Sequence, residues 1–217
     1  MLYYNTVTET LIKALNIIMR EEIFNQFCLV GGTNLSLRYG HRKSIDIDLF
    51  TDAEYGSLDF KIYEDFLKEN FAYYECTDNS SIVGFGRSYY IGEDENNILK
   101  LDLMYTDKFI DSIEIIDNIR MASVKDIIAM KADVILRGGR KKDFWDIHLL
   151  LNTYSIEDVI SLHRDRYEWN HDKSKLISQF LNFEYAENDF NPICLLNKNW
   201  EDIKLDLIDT ISTLNKD

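Results

Sequence analysis

The 217-residue chain contains little proline, glycine and cysteine. Its one proline and nine glycines are too few for a long disordered linker. The three cysteines, Cys28, Cys76 and Cys194, are odd in number and lack the paired spacing of metal ligands, which argues against a disulfide framework and against zinc. No stretch approaches the roughly eighteen uncharged apolar residues of a membrane-spanning helix, and residues 1–6 lack a signal-peptide pattern. We therefore expect a cytoplasmic protein with no membrane contact.

Positive charge is also scarce. Lysine and arginine together number 24, against 38 aspartates and glutamates, which gives a net charge of −14. The bulk surface should repel nucleic acid, because binding to its backbone normally requires a basic face. Basic residues gather only locally, at 38–43 and at 137–142. Either group could contact a triphosphate or an RNA end, although the second is equally well explained as a solvated turn.

A strand bearing two aspartates is predicted at residues 45–50, where apolar and polar residues alternate with period two. Asp46 and Asp48 then lie on one face, about 7 Å apart along the strand. Two carboxylates in this arrangement can converge on a pair of hard cations, as in phosphoryl transfer. Asp102, in the apolar-flanked run 98–104, is the candidate third carboxylate if that run pairs beside the first strand. The pattern predicts a metal site formed by Asp46, Asp48 and Asp102, with two Mg²⁺ ions.

A phosphate-binding turn is predicted immediately before this strand. Residues 27–37 indicate an apolar strand, a glycine turn and the start of a helix. Free backbone N–H groups and the helix dipole favour phosphate there, so Gly31, Gly32 and Thr33 are candidate phosphate ligands. Taken singly, Gly-Gly-Thr is an ordinary turn and Asp-Ile-Asp a solvated strand edge. Their conjunction favours catalysis, since unpaired charges in an apolar segment are costly.

A helical hairpin is predicted from Ser123 onward. The apolar stripe of its first helix includes Lys131, whose inward ammonium requires an anionic partner. Gly138 and Gly139 end that helix, and Asp143 on the next helix falls at a similar height, with Asp146 a less certain partner. One interpretation is a structural ion pair that locks the two helices. The other makes Lys131 a phosphate ligand and Asp143 an active-site carboxylate.

Three segments, 31–50, 123–132 and 140–151, resemble motifs of the AbiEii/AbiGii family. These are nucleotidyltransferase-like toxins of type IV toxin–antitoxin and abortive-infection systems, within the DNA polymerase β superfamily. The resemblance spans about residues 10–151, and nothing beyond residue 151 can be matched. It implies an α/β (α+β) fold, a mixed sheet flanked by helices, with a nucleotidyltransferase core at 1–120 and a helical C-terminal subdomain at 121–217.

The resemblance also implies a reaction, the transfer of a nucleoside monophosphate from an NTP to an acceptor hydroxyl with Mg²⁺. Asp46 and Asp48 would hold the two ions, while Asp102 would bind the second ion or accept the proton. The expected nucleotide contacts are Gly31, Gly32, Thr33, Arg42, Ser44 and Lys131, with Asp143 beside them. The expected partners are an RNA acceptor, such as a tRNA 3′ end, or a protein acceptor, and an antitoxin that forms no stable complex.

Two other functions fit part of the pattern. A catalytically silent nucleotide-binding module could regulate a partner protein, although retention of all three aspartates argues against this. A small-molecule nucleotidyltransferase of the aminoglycoside-modifying kind shares the Gly-Gly-Thr and Asp-x-Asp layout, and an acidic protein suits a cationic drug. The lysine motif and the motif at 140–151 favour the toxin-like family, because they match it over two separate segments.

The predicted elements alternate between helices and strands. We expect helices over 6–20, 33–39 and 58–70, and strands at 27–30 and 46–50. Short strands are expected near 71–76, 81–86, 88–91 and 98–104. With 46% apolar residues, the chain can bury a sizeable core in one domain or in a domain with a helical appendage.

Overall fold

The computed structural model describes residues 1–77 and 84–214. The chain divides into two compact units. The first comprises Met1–Gly40 and Ser44–Ala122, and the second comprises His41–Lys43 and Ser123–Asp217. Three residues in the middle of the predicted first motif therefore pack with the C-terminal part of the chain. The functional division into a catalytic core and a helical subdomain stays a prediction.

The first unit contains a sheet and three α-helices in the described residues. Its strands are β1 Cys28–Leu29, β2 Ile47–Thr51, β3 Tyr73–Cys76, β4 Gly86–Asp94, β5 Asn97–Tyr105, β6 Glu114–Ile116 and β7 Ile119–Met121. Its helices are α1 Glu9–Arg20, α2 Gly31–Tyr39 and α3 Phe60–Asn70, with 3-10 turns at Tyr4–Thr6 and Glu22–Phe24.

The sheet is mixed, as the sequence predicted. Its strand order is β3-β4-β5-β2-β1-β7-β6. Strand β2 runs parallel to β5, and β1 runs parallel to β7, while the other neighbouring pairs are antiparallel. The predicted pairing of the two aspartate-bearing strands is confirmed, because β2 and β5 are direct neighbours.

The sheet packs its apolar face against α1 and α3. Leu11, Leu15 and Ile18 are fully or almost fully buried on one side of α1, whose first turn is capped by the hydroxyl of Thr8. From Leu99 to Leu103, strand β5 alternates between buried leucines and half-buried polar residues. Lys100 and Asp102 therefore share the face opposite the leucines.

The strand predictions near 81–86 and 88–91 need correction. From Gly86 onward these residues form one strand, β4, because its backbone pairs with β5 along almost its whole length. Residues 81–83 lie outside the described residues. The helix predicted at 33–39 begins two residues earlier, at Gly31.

The second unit is built from helices. These are α4 Val124–Leu136, α5 Lys141–Leu150, α6 Ile156–Arg166, α7 Lys173–Phe180, α8 Glu184–Glu187 and α9 Trp200–Thr213, with a 3-10 turn at Glu168–Asn170. The rings of Trp145 and Trp200 stack with centroids 6.0 Å apart and join α5 to α9. Within residues 1–77 and 84–214, no helix combines the length and apolar character needed to cross a membrane.

Candidate active site

The first residue of α2 lies against a carboxylate. Gly31 has a φ of +68°, and a Cβ atom built on it would lie only 2.5 Å from Oδ2 of Asp48. Any other residue would meet both the cost of the left-handed conformation and the clash with the carboxylate. The Gly31 position therefore allows Asp48 to approach the helix start closely.

The hydroxyl of Thr33 is hydrogen-bonded to the segment that precedes β2. Its Oγ1 atom lies 2.8 Å from Oγ of Ser44 and donates a hydrogen bond to the carbonyl oxygen of Asp46. Thr33 and Ser44 are both buried. A phosphate contact by Thr33 would thus come from its backbone N–H, since the first N–H groups of a helix have no partner within that helix.

Asn34 fixes α2 from a second side, and the sequence analysis missed it. Its buried side-chain amide donates to the carbonyl oxygens of Leu29, at 2.8 Å, and Ala122, at 3.0 Å. Its Oδ1 atom accepts from Nε of Arg38 at 2.8 Å. One side chain therefore ties α2 to the end of β1 and to the residue after β7.

Two of the three predicted carboxylates lie side by side. Asp48 and Asp102 occupy paired positions in the parallel strands β2 and β5, which places their Cβ atoms on the same face of the sheet. Neighbouring strands are about 4.8 Å apart. Asp46 stands two residues before Asp48, and all three aspartates are half-buried. The structure thus sets Asp48 beside Asp102, whereas Asp46 lies one residue before β2, outside the strand predicted to carry it.

Lys100 joins this group, and the sequence analysis assigned it no role. Its Nζ atom lies 2.6 Å from Oδ2 of Asp102. Burial disfavours the ammonium, but the hydrogen bond and charge of Asp102, with the charges of Asp48 and Asp46, raise the pKa of Lys100. Its position two residues before Asp102 on a strand was the available signal, because such residues share a face.

One carboxylate oxygen of Asp102 is available to a cation. Oδ1 of Asp102 is buried and has no hydrogen-bond partner among the described residues. Carboxylate oxygens are the ligands that Mg²⁺ prefers. In the part of the chain that the structure describes, no three His, Cys, Asp or Glu side chains already stand in a geometry ready to hold a metal ion. Asp102 offers one oxygen to a cation while Lys100 occupies the other.

The second unit contains a buried ionic network centred on Asp146. This fully buried carboxylate lies 2.7 Å from Nε2 of His41, 2.7 Å from Nε of Arg42 and 2.7 Å from Nζ of Lys131. Nη2 of Arg42 adds a second hydrogen bond of 2.8 Å. Burial opposes the charged form, but Arg42 and Lys131 outweigh it and hold the pKa of Asp146 well below its usual range.

The predicted contact between Lys131 and Asp143 is confirmed. Nζ of Lys131 lies 2.7 Å from Oδ1 of Asp143, whose other oxygen accepts from the backbone N–H of Arg140 and caps α5. Burial disfavours the ammonium, but Asp143 and Asp146 raise the pKa of Lys131. Asp146, the less certain partner in the sequence, is the acceptor that Arg42 and Lys131 share. Nucleotide binding by Arg42, Lys131 and Asp143 stays a prediction.

The first unit has the architecture of a nucleotidyltransferase. It combines a mixed sheet, a glycine turn that opens a helix, and a strand whose Asp-x-Asp sequence pairs with a second aspartate-bearing strand. The chain belongs to the nucleotidyl transferase AbiEii toxin family of type IV toxin–antitoxin systems, whose family model matches residues 13–213. The match extends well past residue 151, where the resemblance read from the sequence ended.

The chain is also similar to a protein from Aquifex aeolicus and to several solved structures. An uncharacterized protein of Aquifex aeolicus strain VF5 is 30% identical over 181 residues, covering 82% of this chain and 83% of its own. A crystal structure from Helicobacter pylori, described as that of a nucleotidyltransferase, superimposes with a TM-score of 0.58 at 21% identity, covering 94% of this chain and 93% of that chain.

Two further solved structures have the same fold. Helicobacter pylori JHP933 superimposes with a TM-score of 0.58 at 20% identity, covering 97% of this chain and 94% of its own. MenT4, a nucleotidyltransferase toxin of Mycobacterium tuberculosis H37Rv, gives a TM-score of 0.55 at 12% identity, covering 88% of this chain and 76% of its own. At these identities the likeness shows the fold alone.

Proposed function

We propose that this protein is a toxin that transfers a nucleoside monophosphate from an NTP to an acceptor hydroxyl, with pyrophosphate as the leaving group. The observation that carries the proposal is the pairing of Asp48 with Asp102 on neighbouring strands, with the Asp48 carboxylate against Gly31 at the start of α2. Carboxylates and a helix N-terminus side by side can hold a cation and a phosphate together. Membership of a nucleotidyl transferase toxin family supports the same reaction.

The three aspartates of the first unit are the proposed metal ligands. Asp46, Asp48 and Asp102 would hold Mg²⁺, with two ions present when the nucleotide is bound. An Mg²⁺ ion held by these aspartates would supply neutralisation of triphosphate charge and activation of the attacking hydroxyl. The unpartnered Oδ1 of Asp102 supports its place in this set.

The start of α2 is the proposed phosphate seat. Gly31 and Gly32 carry no side chains that would hold a phosphate away from the backbone, and the helix dipole favours an anion there. The Thr33 hydroxyl is hydrogen-bonded to Ser44 and to the carbonyl of Asp46, so it orients the start of the carboxylate strand relative to this seat. The helix start would thus bind the triphosphate while the aspartates hold its cations.

Arg42, Lys131 and Asp143 are proposed nucleotide contacts on the basis of the family resemblance. In the second unit all three also belong to the ionic network around Asp146. The two roles predict different defects for Lys131→Met. A raised KM for NTP with an unchanged free energy of unfolding would indicate a phosphate ligand. A lowered free energy of unfolding would indicate a structural ion pair.

The acceptor is proposed to be an RNA end or a protein hydroxyl, and an antitoxin is the expected regulatory partner. To identify the acceptor, each of the four α-³²P nucleoside triphosphates would be incubated with the protein, Mg²⁺ and either total RNA or total protein. We expect label in one acceptor fraction with wild type and none with Asp48→Asn.

Asp52→Asn is the matched control for this assay, because Asp52 is an exposed aspartate immediately after β2 in the same unit. It should label the acceptor as wild type does. Circular dichroism melts should show that Asp48→Asn remains folded, since it removes one charge from a crowded carboxylate cluster. If wild type binds nucleotide in a Mg²⁺-dependent manner but transfers nothing, a catalytically silent regulatory module is favoured. If wild type neither binds nor transfers nucleotide, the proposal is refuted.

A further inference from the structure

The carboxylate cluster of the first unit, which comprises Asp46, Asp48 and Asp102, is accompanied by the ammonium group of a lysine. Lys100 and Asp102 are two residues apart on β5 and point to the same face, and their charged groups are 2.6 Å apart. Strand pairing sets Asp48 beside Asp102. The ammonium of Lys100 thus contacts Oδ2 of Asp102, one of the atoms that the proposed function gives to a metal ion.

This ion pair has little structural reason to be present. The side chain of Lys100 is 36% exposed and that of Asp102 is 15% exposed. Partly exposed ion pairs contribute about 0–1 kcal/mol to stability, because solvent screens them and ordering the side chains costs entropy. A charge that adds so little to folding, placed among three carboxylates, is better explained by its effect on what those carboxylates bind.

The two carboxylate oxygens of Asp102 differ in what they contact. Oδ1 of Asp102 has no partner among the residues described, whereas Oδ2 is bonded to Lys100. The cluster can therefore offer one oxygen of Asp102 to a cation, but a cation that takes both oxygens must displace the ammonium.

We propose that Lys100 is a positioning residue that competes with divalent cations for Asp102 and so keeps the cation affinity of the nucleotide-free protein low. This inference rests on the proposed function, because it assumes that the three aspartates are the metal site. The triphosphate carries additional negative charge, which offsets the ammonium and favours the full complement of cations. Lys100 would thus make metal loading depend on the nucleotide.

The test is Mn²⁺ binding to the nucleotide-free protein, measured as loss of the free Mn²⁺ signal in electron paramagnetic resonance. Lys100→Met removes the ammonium and keeps an apolar stem of similar length. A unit charge within a few ångströms of a divalent ion changes its affinity by about ten- to a hundredfold in a partly screened site. Lys100→Met should therefore bind Mn²⁺ at least about tenfold more tightly than wild type.

Two controls separate competition from a general loss of charge. Lys100→Arg keeps the positive charge and should bind Mn²⁺ as weakly as wild type. Lys61→Met removes the ammonium of an exposed lysine that also pairs with an aspartate, Asp65 on α3, and should leave Mn²⁺ binding unchanged. If Lys100→Met does not fold, Lys100→Gln provides the same test.

The double variant Lys100→Met/Asp102→Asn should lose the gain in affinity, because the carboxylate that Lys100 releases is then absent. Equal Mn²⁺ affinity in wild type and Lys100→Met, or weaker binding in the variant, would overturn the inference. Nucleotide transfer by wild type in the α-³²P assay decides the proposed function separately. Transfer with equal Mn²⁺ affinities would thus reject the role of Lys100 while keeping the enzyme.

Discussion

Replacing Asp146 by asparagine should strongly destabilise the second unit. The carboxylate is fully buried and receives hydrogen bonds from Arg42, at 2.7 and 2.8 Å, and lies 2.7 Å from Nζ of Lys131. Asparagine has nearly the same shape, so the substitution removes the charge with little change in packing. The two cations then remain buried, and among the described residues Asp143 remains as the carboxylate partner of Lys131.

The size of this effect follows from the cost of uncompensated buried charge. Breaking a buried ion pair by removing one partner costs about 3–5 kcal/mol, because the remaining charge has lost both water and its counterion. An asparagine oxygen still accepts one hydrogen bond, so the lower part of that range applies. A loss of about 3 kcal/mol is a large fraction of the roughly 5–15 kcal/mol that stabilises a typical domain.

Tryptophan fluorescence provides a probe that reports on the second unit alone. The chain has three tryptophans, Trp145, Trp169 and Trp200, and all of them belong to this unit. Guanidinium chloride titrations followed by their emission give the free energy of unfolding of the region that contains Asp146. We expect the Asp146→Asn midpoint to shift downward with little change in slope.

Asp165→Asn is the matched control, because Asp165 is a half-exposed carboxylate of the same unit that bonds the neighbouring Arg164. Its free energy of unfolding should stay within about 0.5 kcal/mol of wild type. If Asp146→Asn is destabilised by no more than Asp165→Asn, the network around Asp146 does not stabilise the fold. The interpretation of Lys131 as a structural lock would then be refuted.

Three further outcomes follow from particular contacts. Gly31→Ala should lower the free energy of unfolding by about 1–2 kcal/mol, because alanine disfavours the left-handed backbone, and should also lose nucleotide transfer, because its Cβ displaces the Asp48 carboxylate. Gly56→Ala is the control, since Gly56 has a φ of +80° but a Cβ there would meet no atom within 4 Å, so it has the backbone cost without the clash. Equal transfer by the two variants would contradict this prediction. Asn34→Ala should lower the melting temperature measured by circular dichroism, since it removes two hydrogen bonds to buried carbonyl oxygens, each worth about 0.5–1.5 kcal/mol, and an unchanged melt would count against that role. The difference in free energy of unfolding between wild type and Asp146→Asn should have its full size above about pH 3.9, the pKa of an aspartate in the unfolded chain. It should vanish as the pH falls through the pKa of Asp146 in the folded protein, which is lowered. A difference that persists in strong acid would show that the charge of Asp146 is not its cause.

The aspartate strand was predictable because its signal is local. Period-two alternation predicted Asp46 and Asp48 on one face of a strand, and the observed β2 keeps that alternation from Ile47 to Thr51 but leaves Asp46 one residue before its start. The apolar-flanked run at 98–104 predicted a second strand, and its pairing with β2, on which the choice of Asp102 depended, is observed. Ile45 shows where the pattern fails, since it lies just before β2 and is largely exposed.

The helical hairpin was predictable for the same reason, but its central residue was not. Lys131 and Asp143 lie at comparable distances from the glycine turn, so helix geometry alone brings them together. Asp146 is the shared acceptor because His41 and Arg42 reach it from a segment more than a hundred residues away in sequence. Periodicity carries no information about such a long-range contact.

Arg42 shows why proximity in sequence is a weak guide to what a charge does. It stands four residues before Asp46, which favoured a phosphate contact beside the carboxylate strand. In the structure both edges of its guanidinium are engaged by Asp146 and by the carbonyl oxygen of Lys43, and its side chain is almost fully buried. An arginine held in this way leaves its partner only at a cost of several kcal/mol, since Asp146 would then lose its strongest counterion. Phosphate binding by Arg42 would have to occur without breaking that pair. The charge that most clearly acts on the carboxylate cluster is therefore Lys100, which follows the Asp-x-Asp motif by some fifty residues but lies on the adjacent strand.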